Sequence, residues 1–101
     1  MNKTEHLLTC LIEECSEIQH AAAKALRFGL DDHAPDGPVI TNQDCIATEC
    51  ADLLAVIEML EDEGIIPRLR TPESMHKKKD KVEEYMRYAI ARGTMIDITQ
   101  V

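Results

Sequence analysis

The sequence predicts an all-α protein, and three observations support this fold class. Apolar residues recur at helical spacing in three long segments, and stretches that contain Gly and Pro separate those segments. Aromatic residues are scarce, with one Phe, two Tyr and no Trp. Leu, Ile, Ala and Met must therefore fill the core, which suits packed helices better than a β-sandwich. At 101 residues, the chain is expected to form one domain over residues 1–101.

The first helix is predicted to run from about Thr4, a candidate N-cap, to Phe28, and Gly29 is expected to end it. Its predicted core face is the side on which most of its apolar residues fall in a helical projection. These residues are Leu7, Leu8, Leu11, Ile18, Ala22, Ala25 and Leu26. Residues 30–38 are rich in Asp, Gly and Pro, so they are predicted to form a loop, and long ordered loops in small domains are often functional.

The second helix is predicted to begin at Thr41 or Asn42, where Asp44 is placed to support the N-cap, and to end near Glu63. Gly64 is expected to stop it. Its predicted core face carries Ile46, Cys50, Leu53, Ile57 and Leu60.

The third helix is predicted to open with Thr71 as a cap and Pro72 in the first turn, and to extend to about Arg92 before Gly93. The tail, residues 94–101, is predicted to be a short strand or an arm onto a partner subunit. Three helices with apolar faces leave surface that one copy can hardly cover. The fold is therefore predicted to be a helical hairpin plus a third helix that completes a four-helix bundle as a homodimer or homotetramer.

Each of the first two helices carries two acidic residues one turn apart. At 100° per residue, Glu14 and Glu49 fall inside the apolar faces, whereas Glu17 and Asp52 fall at their edges. A buried unpaired carboxylate is costly, and a hard divalent cation between the two helices would offset that cost. These four residues are therefore predicted to bind Mg²⁺, with Mn²⁺ as an alternative. Internal ion pairs with lysines of the third helix, or solvated acids on a differently phased helix, are the structural alternatives.

These acids also carry a family resemblance. The segments Glu13-Glu14-Cys15-Ser16-Glu17 and Glu49-Cys50-Ala51-Asp52 resemble the Glu-Glu-x-x-Glu and Glu-x-x-Asp motifs of the MazG-like, all-α NTP pyrophosphatase superfamily. The resemblance implies that Glu14, Glu17, Glu49 and Asp52 are the metal ligands. The role of Glu13, which faces away from the apolar side, stays open. The spacer between the two motifs is longer here than in many members, which affects the loop's contribution to a substrate pocket.

The third helix is predicted to face a triphosphate. Five residues share one side of it: Lys78, Lys81, Tyr85, Tyr88 and Arg92. Lysine and arginine suit phosphate oxygens, and a phenol can donate a hydrogen bond. The alternative is that the lysines extend from a helix edge into solvent while the tyrosines pack.

The resemblance implies an enzyme that hydrolyses a nucleoside or deoxynucleoside triphosphate to the monophosphate and pyrophosphate, in house-cleaning of the nucleotide pool. The predicted catalytic residues are Glu17, as the general base, and Glu14. In the family, the partner subunit helps to close the nucleotide pocket. Asp31, Asp32 and Asn42 are candidates for contacts with the base or sugar.

Composition excludes several other classes. The net charge of −8 disfavours nucleic-acid binding, which needs a basic face. No signal peptide or membrane-spanning run is expected, so the predicted location is cytoplasmic. The four cysteines, at 10, 15, 45 and 50, lack Cys-x-x-Cys spacing and are predicted to be buried free thiols.

Two other function classes remain open. Glu17-Ile18-Gln19-His20 matches the Glu-x-x-His pair of di-iron carboxylate bundles, but His20 falls on the polar side of its helix. His6, His33 and His76 are predicted to be ordinary surface residues. The second alternative is a catalytically silent helical interaction module whose acids are structural ion-pair partners.

Overall fold

The computed structural model of the chain describes residues 1–97, which form three α-helices. They are α1 (Lys3–Phe28), α2 (Asn42–Asp62) and α3 (Pro72–Arg92). No strand occurs within residues 1–97, so the all-α prediction is confirmed for that part of the chain. The predicted strand or arm at the C-terminus falls partly on residues 98–101, which lie outside the described residues, and residues 94–97 are not in a strand.

The start of α1 differs from the predicted one. Its N-cap is Asn2, whose side-chain oxygen accepts a hydrogen bond from the backbone N–H of Glu5 at 2.8 Å. The prediction of Thr4 as the cap is wrong, because Asn2 lies two residues upstream, captures the N3 amide and so draws Thr4 into the first turn. At the other end, Gly29 takes a positive φ of 104°, and its N–H donates to the Ala25 carbonyl.

The starts of α2 and α3 are as predicted. Thr41 caps α2, and its side chain and that of Asp44 satisfy each other's backbone N–H groups in a capping box. Thr71 caps α3 in the same way with Ser74, and Pro72 occupies the first turn, where a missing N–H costs nothing. These local signals fix the direction in which each helix leaves its loop.

The first of two compact units spans Met1–Pro67 and consists of α1 packed against α2. Its buried apolar side chains among the described residues are Leu7, Ala21, Ala25 and Leu60. Leu60 is fully buried, at 0% exposure. The predicted helical hairpin is therefore present, with a core made of small and aliphatic side chains between the two helices.

Hydrogen bonds tie the start of α2 to the segment that directly follows α1. The Asn42 N–H donates to the Asp32 carbonyl, the Gln43 N–H donates to the Leu30 carbonyl, and the Asn42 side-chain amide donates to the Gly29 carbonyl at 2.8 Å. The first amides of a helix have no partner within it, so these bonds satisfy groups that would otherwise need water. Asn42 is only 4% exposed and acts as the clasp of the hairpin.

Three residues assigned to core faces are more exposed than predicted. Leu26 is 89% exposed, Leu8 is also exposed, and so is Cys50. Each follows a residue that faces inwards, and one residue turns the helix by about 100°. When Leu7 and Ala25 are buried, Leu8 and Leu26 must turn away from α2.

The second unit begins at Arg68 and contains α3. No residue of α3 is buried, although Met75, Val82 and Met86 share an apolar side of the helix. The helix ends at Gly93, which adopts the left-handed conformation at φ 80°. No helix among the described residues is long and apolar enough to cross a membrane.

Candidate metal centre

The centre of the hairpin brings together three of the four acids that were predicted to bind a metal. One carboxylate oxygen each from Glu14, Glu49 and Asp52 lies within 4.8 Å of the other two. Glu14 projects from α1, while Glu49 and Asp52 are one turn apart on α2. Glu14 and Glu49 are half-buried and Asp52 is exposed, which matches their predicted positions inside and at the edge of the apolar faces.

The electrostatics of this acidic triad (Glu14, Glu49 and Asp52) are unfavourable for bare carboxylates. The Oε2 atom of Glu14 is buried and has no hydrogen-bond partner. Burial raises the pKa of Glu14 above its ordinary value, and the negative charges of Asp52, Glu49, Glu17 and Glu13 raise it further, in that order. Both desolvation and repulsion therefore disfavour the ionised form of Glu14 in the folded chain.

A hard cation fits this arrangement. Magnesium and manganese take carboxylate oxygens as ligands, and Mg²⁺ completes its octahedron with waters or phosphate oxygens. The unpartnered Glu14 oxygen supplies a lone pair that no protein donor uses. Exposure of Asp52 leaves the site open on one side, which is the condition for an exchangeable ligand.

Glu17, the fourth predicted ligand, is exposed and is not among the three converging residues. It lies one turn after Glu14 on α1, and its charge is one of those that raise the pKa of Glu14. Glu13 contributes the smallest of these effects and is also exposed. The assignment of Glu17 as a ligand or base stays a prediction.

The five residues predicted to contact phosphates all lie on α3 and all have exposed side chains. They are Lys78, Lys81, Tyr85, Tyr88 and Arg92. They belong to the second compact unit, whereas the acidic triad belongs to the first. Their role in binding a substrate therefore stays a prediction.

The cysteines are free, as predicted, but they are not uniformly buried. Cys10 and Cys45 are half-buried, whereas Cys15 and Cys50 are exposed, so the prediction of buried thiols is wrong for that second pair. Cys15 and Cys50 directly follow Glu14 and Glu49, which face inwards, and the next residue on a helix turns away. His20 is exposed, as its predicted place on the polar side requires.

The hairpin also contains a cavity that the sequence did not predict. Its volume is about 450 Å³, and it lies where the loop closes over the end of α1 and the start of α2. The residues that line it include Lys24, Phe28, Asp32, His33, Asn42 and Cys45. Asp32 and Asn42 were candidates for base or sugar contacts. For Lys24 and Cys45, the sequence signal is the seven-residue spacing from Glu17 to Lys24 and from Cys45 to Asp52.

Comparisons with protein-family models, with curated proteins and with solved structures found no match for this chain. The function of the chain therefore has to be inferred from its site and its sequence.

Proposed function

We propose that the chain is a Mg²⁺-dependent nucleoside triphosphate pyrophosphohydrolase of the MazG-like kind. The observation that carries this proposal is the convergence of Glu14, Glu49 and Asp52 from two helices, with one Glu14 oxygen buried and unpartnered. Exposed acidic residues are common on protein surfaces, but a carboxylate with a buried oxygen that lacks a hydrogen-bond partner is rare. Together with the two acidic motifs, this arrangement favours a metal-assisted reaction on a phosphate substrate.

Each acid would have a role in metal binding or proton transfer that follows from its exposure. Glu14 and Glu49, which are half-buried, would hold the cation, and Asp52 would complete the set at the open edge. A bound Mg²⁺ would neutralise phosphate charge and lower the pKa of a coordinated water. Glu17, exposed and one turn from Glu14, would accept a proton from the attacking water.

The positive residues on α3 would neutralise the leaving pyrophosphate. Lys78, Lys81 and Arg92 share one side of that helix, and all are exposed and available to a ligand. Tyr85 and Tyr88 lie on the same side and would donate hydrogen bonds to phosphate oxygens.

We further propose that the working unit is a homodimer or homotetramer in which hairpins form a four-helix bundle. Few apolar side chains of the hairpin are buried, while Leu8, Ile12 and Leu26 are exposed along one side of α1. Exposed apolar side chains that share one side of a helix are typical of a surface that packs against another helix. Cytoplasmic location is proposed on the same basis as the function.

A product analysis tests the proposed reaction. The purified protein is incubated with each common ribo- and deoxyribonucleoside triphosphate and Mg²⁺, and pyrophosphate is measured separately from orthophosphate. Pyrophosphate and the nucleoside monophosphate are the expected first products. Orthophosphate as the first product would mean cleavage at the γ-phosphate and would overturn the reaction class.

A pair of matched variants separates the enzyme from a silent interaction module. Glu49→Gln removes a charge of the triad, whereas Glu58→Gln removes an exposed charge from a different side of the same helix. We expect pyrophosphate release to be lost in the first variant and unchanged in the second. No pyrophosphate release from the wild-type protein would favour the interaction module, and full activity in Glu49→Gln would exclude the triad from the reaction. The oxygen-only triad also favours Mg²⁺ over a di-iron centre, and iron content of the purified protein checks that alternative.

A further inference from the structure

The cavity at the loop end of the hairpin lies on the same side of the two helices as the edge acids. On α1, Lys24 follows Glu17 by seven residues, and on α2, Cys45 precedes Asp52 by seven residues. Seven residues make about two turns, so each pair lies on one side of its helix with an axial separation of about 10 Å. The acidic triad and the cavity therefore follow one another along one side of the hairpin.

One wall of the cavity is apolar and includes an aromatic ring. Phe28 lines the cavity with Pro35 and Ile40, and its side chain is 57% exposed. The guanidinium carbon of Arg27 lies 4.9 Å from the centre of the ring, so a cation supports the aromatic group. A half-exposed ring at the edge of a cavity is a stacking surface for a planar ligand.

Apart from Lys24, the polar side chains of the cavity mostly offer hydrogen-bond acceptors. The side-chain amide of Asn42 donates one N–H to the Gly29 carbonyl, which leaves its Oδ1 as an acceptor beside the second N–H. His33 Nδ1 lies 3.0 Å from the Ala34 carbonyl and must donate to it, which leaves Nε2 as an acceptor in the neutral ring. Asp32 adds a carboxylate, which only accepts. A ligand with N–H donors therefore suits this wall.

We propose that the cavity binds the nucleoside end of the substrate and selects a base with an exocyclic amino group. The inference rests on the proposed function, which puts the triphosphate at the acidic triad. A volume of about 450 Å³ is ample for a nucleoside and lies within the range of roughly 300–1,000 Å³ that is typical of ligand pockets. Lys24, between the triad and Phe28 along α1, is placed to meet a phosphate oxygen.

Binding of two matched nucleotides tests the proposal without any metal or turnover. Cytidine monophosphate carries an amino group where uridine monophosphate carries a carbonyl. Each is titrated into the full chain in the presence of a chelator, and backbone amide shifts are followed by NMR. We expect cytidine monophosphate to shift the amides of Phe28, Asp32, His33 and Cys45 and to bind more tightly than uridine monophosphate.

Variants with matched controls locate the contacts. Phe28→Ala is expected to weaken binding of cytidine monophosphate by about tenfold or more. Asp32→Asn is expected to reduce the preference for cytidine over uridine. Val39→Ala and Asp36→Asn are the controls, because both residues are exposed in the same loop and do not line the cavity. Neither control should change affinity or preference.

The possible failures are distinguishable from failure of the proposed enzyme. If pyrophosphate is released from a triphosphate but the cavity variants bind and turn over substrate like the controls, the cavity proposal is overturned and the reaction stands. If cytidine monophosphate binds in the cavity but no triphosphate is hydrolysed, the enzyme proposal fails and the nucleoside site stands. Equal affinity for both monophosphates would overturn the base preference.

Discussion

Glu14 has the least favourable surroundings of the three acids in the triad. Its carboxylate has a buried oxygen without a partner, and burial and neighbouring acids raise its pKa. A raised pKa in the folded state means that the folded chain binds this proton more tightly than the unfolded chain does. Ionisation of Glu14 therefore destabilises the fold in the absence of a cation.

Glu14→Gln should stabilise the metal-free protein at neutral pH. Ionisation of Glu14 lowers the free energy of unfolding of the wild-type protein. This loss is absent well below pH 4.5, the ordinary pKa of a glutamate, and develops as the pH rises through the raised pKa. The difference in unfolding free energy between Glu14→Gln and wild type should therefore grow over the same pH range. Urea denaturation with a chelator, at neutral pH and well below pH 4.5, measures it. A variant less stable than wild type at neutral pH would show that Glu14 has a stabilising partner.

Ionisation of Asp44, in contrast to that of Glu14, should stabilise the fold. Hydrogen bonds from the Thr41 backbone and side chain lower the pKa of Asp44 below its ordinary value of 3.8. Its contribution is therefore fully present above pH 3.8 and is lost as the pH falls through the lowered pKa. Asp44→Ala should lower the free energy of unfolding at neutral pH, and the difference from wild type should shrink in strong acid.

Asp36→Ala is the control for Asp44, because Asp36 is an exposed acid in the preceding loop. It should leave the unfolding free energy within about 0.5 kcal/mol of wild type, as is usual for such surface positions. A loss of stability in Asp44→Ala that persists unchanged in strong acid would contradict the role assigned to the ionised carboxylate.

The hairpin is stabilised by the hydrogen bond of the Asn42 side chain to the Gly29 carbonyl, which is the clasp between the start of α2 and the end of α1. The Asn42 side chain bonds the Gly29 carbonyl across the loop and is nearly fully buried. Asn42→Ala should destabilise the chain by about 1–3 kcal/mol, because a buried side chain and its part-buried hydrogen bond to the Gly29 carbonyl are lost. Gln43→Ala, beside it, removes an exposed side chain and should cost less than about 0.5 kcal/mol. Denaturant midpoints compare the two, and equal losses would contradict the clasp.

Much of each helix was predictable because the signals are local. Thr41 with Asp44, and Thr71 with Pro72, specify helix starts within one turn. The start of α1 was not decided locally, since Asn2 and Thr4 are both able to cap and only one of them captures the N3 amide. Leu26 was misassigned because an apolar residue at the border of a face turns inwards or outwards by a small rotation of the helix.

The acidic triad was predictable for a similar reason. Helical geometry puts Glu14 and Glu49 on the inner faces whatever the loop does. The cavity was not predictable, because the path of the loop is set by bonds from Asn42 and Gln43 to carbonyls ten or more residues earlier. Pairings of that range leave no periodic trace in a sequence.

For the whole molecule, the main question is what covers the exposed apolar stripe of α1. Ile12, which is 69% exposed, should contact a second copy in the proposed assembly. Ile12→Glu should therefore lower the assembly mass measured by analytical ultracentrifugation. His20→Glu, which adds the same acid on the polar side of α1, should not. A monomeric wild-type protein would contradict the four-helix bundle.

The most direct test of the metal centre is a calorimetric titration of the wild-type chain with Mg²⁺, repeated with Mn²⁺. We predict saturable binding that is lost or much weakened in Glu14→Gln and in Glu49→Gln and retained in Glu58→Gln, which lies outside the triad. If all four proteins take up the cation alike, or none does, the two helices do not form a metal site.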